Sequence, residues 1–204
     1  ALYGISTALV IRPLNLYLKG LNQGVAVDEV GAYEFRYLAN QYNSMMKDIQ
    51  RSSEELRYET EHDALTGAKN RKAFERIQSL LKDDDHPYAL MLVDIDDFKT
   101  IETRYGFSVA DLVLKRTYRV ISDNFRSDDM IVRLGGNEFL ILMSNMPMSL
   151  TGVIIRKTES IRSALRNPDK DTPGITISAG IVFSQHGLPE DILSRADQVM
   201  YRVE

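Results

Sequence analysis

Apolar residues in the first quarter of the chain recur at helical spacing. Leu14, Leu18, Leu21 and Val25 advance by four, three and four, and Ile11 extends the seam backwards past Pro13. A longer seam follows in Phe35, Leu38, Tyr42, Met45, Ile49 and Leu56. Phe35, Tyr42, Ile49 and Leu56 are spaced by sevens, and Leu38 and Met45 hold the companion position. A 3–4 repeat kept over about three heptads predicts a coiled coil more than an ordinary amphipathic helix. The companion position turns polar at Ser52 and Glu59, so the coil should weaken towards its carboxyl end. Between the seams, Asn22–Gly31 is too short for a helix of its own and reads as a connector. Two short striped helices cannot bury their seams alone, whereas two copies in parallel can, as a four-helix bundle. A plain helical hairpin packed on the rest of the chain is the alternative.

From about residue 62 the pattern changes to strands alternating with helices. Tyr88–Ile95 is an apolar run that predicts a buried central strand. Val109–Phe125 carries helical spacing. Met130–Leu134 and Phe139–Met143 are short apolar strands split by Gly135-Gly136-Asn137-Glu138, a hairpin by its turn chemistry. Leu150–Leu165 predicts a helix, Ile175–Ser184 a strand with a glycine inside, and Leu188–Tyr201 a last helix. The order β-α-α-β-β-α-β-α predicts an α+β fold, one sheet with helices packed on it, related to the split βαβ motif.

Composition narrows the chemistry. The chain has 204 residues, a formal net charge of -4 and no cysteine. That removes disulfides, thiolate zinc sites and cysteine nucleophiles together. With a pI near 5.5 and no basic stripe, a nucleic-acid duplex is a poor partner. The three histidines, His62, His86 and His186, lie far apart and do not suggest a metal site.

Ahead of Arg12, the first charge, run eleven uncharged residues. A membrane-spanning helix needs about 20 apolar residues, so this segment does not span alone. It lacks the basic opening of a signal peptide. It reads either as the start of a buried helix or as the cytoplasmic end of a membrane helix. Arg12 favours the second, because basic residues accumulate on the cytoplasmic flank.

Two clusters stand out chemically. Asp94, Asp96 and Asp97 sit where the first strand ends, and the Gly135-Gly136 hairpin presents Glu138 beside an open backbone. Clustered carboxylates beside an approachable backbone suit magnesium and nucleotide phosphates. They equally suit a helix cap and a tight turn, and residue chemistry alone leaves both open.

Two resemblances bear on this choice. Arg12-Pro13-Leu14, the connector, and Glu34-x-x-x-Leu38-x-x-x-Tyr42-Asn43-x-Met45 resemble a HAMP domain over about residues 11–47. Asp63-Ala-Leu-Thr-Gly-Ala-Lys-Asn-Arg71, Asp94-Ile-Asp-Asp-Phe-Lys99, Gly106, Asp111, Arg133-Leu-Gly-Gly-Asn-Glu-Phe139 and Ile177-Ser-Ala-Gly-Ile181 resemble, in order, the GGDEF domain of diguanylate cyclases. The second resemblance implies the palm-like sheet of nucleotidyl cyclases with flanking helices. It implies a dimer in which each half-site holds GTP and Mg2+ or Mn2+, and a product, cyclic di-GMP. The first implies a homodimer below a membrane helix, in the cytoplasm at a bacterial inner membrane, relaying a signal by helix repacking. The implied organisation is the end of a membrane helix in 1–10, a HAMP-like module in 11–47, a coiled-coil signalling helix in 48–62 and a GGDEF domain in 63–204.

By motif position, Asp94 and Glu138 would hold metal, Lys99 would neutralise phosphate, Gly135 and Gly136 would let the backbone meet it, and Asp111 would accept from guanine. The third signature residue, acidic in active members, is Asn137. An amide offers one neutral oxygen, so a cation loses attraction and a proton acceptor is gone. The family's guanine-contacting Asn is Glu102, which only accepts; its Gly-His is Gly106-Phe107, Ala110 replaces a glycine, and the phosphate lysine aligns with Glu204. These changes argue against GTP turnover, and a working cyclase is the rival reading. Arg126-Ser-Asp-Asp129 stands at the offset of the family's RxxD site for cyclic di-GMP, with Arg156 and Arg162 as candidates for its second arginine; the plain alternative is a surface ion pair. Such domains often precede an EAL phosphodiesterase domain, while a ligand-free relay module is a third reading.

Overall fold

The computed structural model describes residues 10–30 and 33–200. The expected membrane-helix end in 1–9, Gly31 of the connector and Glu204 lie outside the described residues. Contacts divide the chain into two units, a first reaching to Tyr58 and a second beginning at Glu59.

In the first unit, helix α1 (Arg12–Gln23) starts on Pro13, whose missing N–H is no loss in a first turn. It stops at Gly24, which takes the left-handed conformation (φ 63°) that closes a helix. Residues 25–30 then run without regular structure, and helix α2 (Tyr33–Glu61) continues uninterrupted through Ser52 and Glu59. Asn43 fixes the connector to α2. Its side chain accepts the Val27 N–H at 2.9 Å and donates to the Val27 carbonyl at 2.8 Å. Both backbone groups of a buried residue are thereby satisfied. Gly20 leaves room for this docking, since a Cβ there would stand 2.1 Å from Val27 Cγ1. Val27, Ala39 and Tyr42 form a small core with Tyr17 and Met46. The seam residues Leu38, Met45, Ile49 and Leu56 remain about half exposed.

The second unit is a five-stranded sheet in the order β1-β3-β4-β2-β5. Its strands are β1 (Lys69–Asn70), β2 (Tyr88–Ile95), β3 (Met130–Gly135), β4 (Glu138–Ser144) and β5 (Ile177–Ser184). Five helices complete it: α3 (Arg71–Leu80), α4 (Phe98–Tyr105), α5 (Phe107–Asn124), α6 (Thr151–Arg166) and α7 (Ile192–Met200). All neighbours are antiparallel except β1 and β3. Alternate residues of β2 serve opposite faces. Ala89, Met91 and Val93 pack with Phe139 and Ile141 beneath α5 and α6, which bring Ile121 and Ile154. Leu90 and Leu92 pack with Leu140 and Leu142 beneath α3 and α7, which bring Phe74 and Ile192. The α+β expectation therefore holds, with a central β2 and the β3–β4 hairpin where the turn chemistry put it.

The sequence reading lacked β1, α3 and a 3-10 turn at Met148–Leu150. Strand β1 is two residues long, below any periodic signal. Helix α3 is short: it is capped, the Asn70 side chain accepting the Ala73 N–H at 3.0 Å, and its apolar face of Ala73, Phe74 and Ile77 repeats for less than three turns. The last helix begins later than Leu188, because Leu188 donates its N–H to the Leu81 carbonyl at 2.9 Å. Among the described residues no helix is long and apolar enough to cross a membrane.

Candidate functional site

The carboxyl end of β2 gathers polar groups from three strands. Asp94 stands opposite Glu138 of β4 and Ser178 of β5 in register. Directly opposed residues of antiparallel neighbours share a face, so these side chains lie beside one another beyond the apolar rows. The chain then turns into α4 through Asp96 and Asp97. The Ser178 hydroxyl donates to the Asp96 carboxylate at 2.7 Å, and the Asp96 N–H goes to the Thr176 carbonyl at 3.1 Å. Asp97 is left-handed (φ 50°) and makes no side-chain cap to α4; its carbonyl accepts the Thr100 N–H at 2.8 Å. The capping alternative for these aspartates therefore lacks a hydrogen bond at Asp97.

A cleft of about 520 Å³ opens here, lined among others by Asp94, Asp96, Lys99, Glu102, Gly136 and Asn137. Among the described residues of a lining that also includes Asp97, Lys99 is the cation beside four carboxylates. Gly135 (φ 147°) and Gly136 (φ 52°) adopt backbone conformations that favour glycine, with no atom within 4 Å of where a Cβ would stand. A ligand can approach that backbone closely.

Asn137 closes the hairpin onto β2. Its amide donates to the Asp94 carboxylate and, at 2.9 Å, to the Ile95 carbonyl. Both partners are acceptors, so the nitrogen and not the oxygen of the amide faces them. A magnesium-like cation takes oxygen ligands, and these two oxygens converge as such ligands would. The amide already donates to both, so the residues as arranged do not fit a divalent cation. Glu138 is opposite Asp94 but outside the cleft lining. Among the described residues, no group of three or more His, Asp or Glu could hold a metal ion.

Of the other predicted residues, Asp111 is exposed in the second turn of α5 and Gly135 is exposed at the end of β3, both outside the cleft lining. Arg126 and Asp129 lie in the turn between α5 and β3. There the Asp129 carboxylate accepts the backbone N–H of Arg126 at 2.9 Å. The surface ion pair is not what forms: among the described residues the Arg126 guanidinium has no ion-pair partner. Arg162 is engaged by Glu159 at 3.1 Å. The cation that reaches this end of α5 is Lys157, which donates to the Asn124 carbonyl and lies 4.9 Å from the Phe125 ring centre. Sequence spacing gave no sign of it, because the packing of α6 on α5 places it.

Arg133, quoted in the signature motif without a role, is the second such residue. It donates to both oxygens of Asp63 at 3.1 and 3.2 Å and to the Gly136 carbonyl at 2.7 and 3.1 Å. Asp63 also accepts from the Thr66 N–H and hydroxyl at 2.9 and 2.6 Å, which closes a turn there. Burial pushes the Asp63 carboxyl up, but the Thr66 and Arg133 hydrogen bonds outweigh it and hold it below its ordinary range.

Comparison with known proteins fits this arrangement. Residues 60–204 match the family model of the diguanylate cyclase GGDEF domain. Diguanylate cyclase TpbB of Pseudomonas aeruginosa is 29% identical over 192 residues, 86% of this chain and 44% of TpbB. The chain thus spans less than half of that relative. The solved coiled coil and GGDEF domain of DgcB from Caulobacter crescentus, in complex with c-di-GMP, superposes with a TM-score of 0.70 at 22% identity, covering 81% of this chain and 91% of DgcB. A microbial GGDEF domain solved for its interaction with bis-(3′,5′)-cyclic di-GMP gives a TM-score of 0.61 at 27% identity, covering 72% and 92%.

Proposed function

The chain belongs to the diguanylate cyclase GGDEF-domain family, and we propose that its GGDEF domain is a receptor for cyclic di-GMP that does not make it. The observation that carries this reading is the turn at Arg126 and Asp129. Asp129 spends one oxygen on closing the turn, which leaves the exposed arginine fork without an ion-pair partner among the described residues. A guanidinium meets phosphate or a guanine edge through paired donors. The other Asp129 oxygen can accept from guanine N–H groups, and Lys157 adds positive charge nearby. The cyclic di-GMP complex of DgcB and the interaction of the microbial GGDEF domain with the same ligand support this choice.

Catalysis is disfavoured at the other site. A cyclase of this family would use Asp94 and Glu138 for Mg2+ or Mn2+, Lys99, Gly135 and Gly136 for GTP phosphates, and Glu102 and Asp111 at the base. Asn137 brings an amide where an acid is needed, and Glu102 has lost the donor that guanine O6 requires.

The first unit, in this reading, is a HAMP-like module. Its half-exposed seam of Leu38, Met45, Ile49 and Leu56 has the spacing of a parallel coil with a second copy. The homodimer would pass a signal from a membrane helix before it to the GGDEF domain and to a following domain such as an EAL phosphodiesterase.

Calorimetric titration of cyclic di-GMP into the chain, with Arg126→Ala as control, tests the receptor. Micromolar or tighter binding that the variant loses supports it. No binding overturns it and leaves a relay module. Magnesium-dependent pyrophosphate release from GTP would instead make the protein a working cyclase.

A further inference from the structure

We propose that the Asn137 amide is a built-in replacement for a cation, which makes the cleft at the end of β2 blind to divalent metals; the inference deepens the non-catalytic reading above and rests on it. Two oxygens converge at this point, one from the Asp94 carboxylate and one from the Ile95 carbonyl. In an oxygen-ligated cation site such a pair forms part of the shell. Here the amide nitrogen bonds both, and the Asn137 carbonyl accepts the Ile95 N–H at 3.4 Å. The signature hairpin is thereby latched to β2 by side chain and backbone together, with no ion needed.

The replacement is mechanical and not electrical. An amide is neutral, so the Asp94 charge stays in the cleft alongside Asp96, Asp97 and Glu102, with Lys99 as the cation among the described lining residues. A triphosphate entering without a cation meets like charge at short range, where repulsion is poorly screened. A cation entering first must break both amide hydrogen bonds and still finds only one carboxylate between the two latched residues. The latch therefore shuts out metal directly and nucleotide triphosphate through the missing metal. Regulation of the domain is left to the distant turn at Arg126.

The test titrates Mn2+ alone into the full chain, reading free Mn2+ by electron paramagnetic resonance. Wild type, Asp94→Asn and Asn137→Asp are compared. The expected result is no site in wild type that Asp94→Asn removes, and one new site in Asn137→Asp, whose carboxylate is isosteric with the amide. Saturating Mn2+ should raise the Tm of Asn137→Asp on the order of 5 °C and leave wild type unmoved. A wild-type Mn2+ site that disappears in Asp94→Asn overturns the inference, and this arm does not depend on Asn137→Asp folding. A folded Asn137→Asp that gains no site also overturns it. Cyclic di-GMP titrated into the same wild-type sample separates the two readings. A wild-type metal site with cyclic di-GMP still bound sinks only the latch, and no metal site with no cyclic di-GMP bound sinks only the receptor.

Discussion

Arg133 and Asp63 form an ion pair at 3.1 Å, with side chains only 13% and 23% exposed, across seventy positions of sequence. The same guanidinium holds the Gly136 carbonyl at 2.7 Å. One arginine thus ties the turn at the head of the second unit to the signature hairpin. Truncating it takes the guanidinium from a half-buried carboxylate, which keeps its Thr66 donors, and from the Gly136 carbonyl. Arg133→Ala should cost about 1–3 kcal/mol, the usual penalty for orphaned polar groups. A double-mutant cycle with Asp63→Asn, read by urea unfolding, should show a coupling of more than about 0.5 kcal/mol. Additive losses would mean that the pair contributes nothing as a pair.

Acid should unmake this pair selectively. The Asp63 carboxyl is held below its ordinary 3.8 because hydrogen bonds from Thr66 and Arg133 outweigh the burial that raises it. A carboxylate depressed by folding contributes stability that is complete above its unfolded value and disappears as pH falls through its folded value. The stability advantage of wild type over Asp63→Asn should therefore be flat at neutral pH and shrink below 3.8. Urea midpoints of both proteins along a pH series check this. A gap that narrows between neutral pH and pH 5 would point to a different titrating group.

Much of this arrangement was legible in the sequence, and the missing parts share one cause. The apolar run Tyr88–Ile95 announced the central strand, and Gly135-Gly136 announced the hairpin, because both signals are local. Asp94, Lys99, Glu102, Gly136 and Asn137 were each singled out and do line one cleft. What the pattern did not carry was direction: an asparagine in the signature can offer oxygen to a metal or nitrogen to an acceptor, and only the placement of Asp94 beside the Ile95 carbonyl decides. The role of Arg133 and the position of Lys157 were hidden for the same reason, since their partners come from remote elements. Helix α3 escaped although Ala73, Phe74 and Ile77 mark an apolar face, because at ten residues that face repeats for less than three turns.

Asn43 offers a test in the first unit. Its amide makes two hydrogen bonds to the backbone of Val27, in effect pairing the connector as a neighbouring strand would. Asn43→Ala should free the connector, with Val27 amide exchange at least about tenfold faster, equivalent to roughly 1.4 kcal/mol of lost protection. Asn43→Asp accepts but cannot donate, and should recover part of that protection. Unchanged exchange in Asn43→Ala would mean that Val27 is held by its packing against Gly20, Ala39 and Tyr42 alone.

Two glycines should respond differently to the same alanine. Gly136 needs its left-handed backbone (φ 52°) but has open space where a Cβ would go. Gly136→Ala should cost about 1–2 kcal/mol of backbone strain, with the sheet undisturbed. Gly180 lies in β5, and a Cβ there would stand 2.6 Å from the Ala196 carbonyl oxygen and 2.8 Å from the Met200 nitrogen. These are backbone atoms of α7 and cannot turn aside as a side-chain tip would. Gly180→Ala must move the helix off the sheet and break the packing around Val182, Ile192 and Ala196. It should cost about 3 kcal/mol or more, at the upper end for overpacking. Thermal unfolding ranks the pair, and a Gly136→Ala loss equal to that of Gly180→Ala would place the strain in the hairpin instead of the helix–sheet contact. The comparison also separates motif from scaffold: Gly136 is kept open by a conformation, Gly180 by a neighbour.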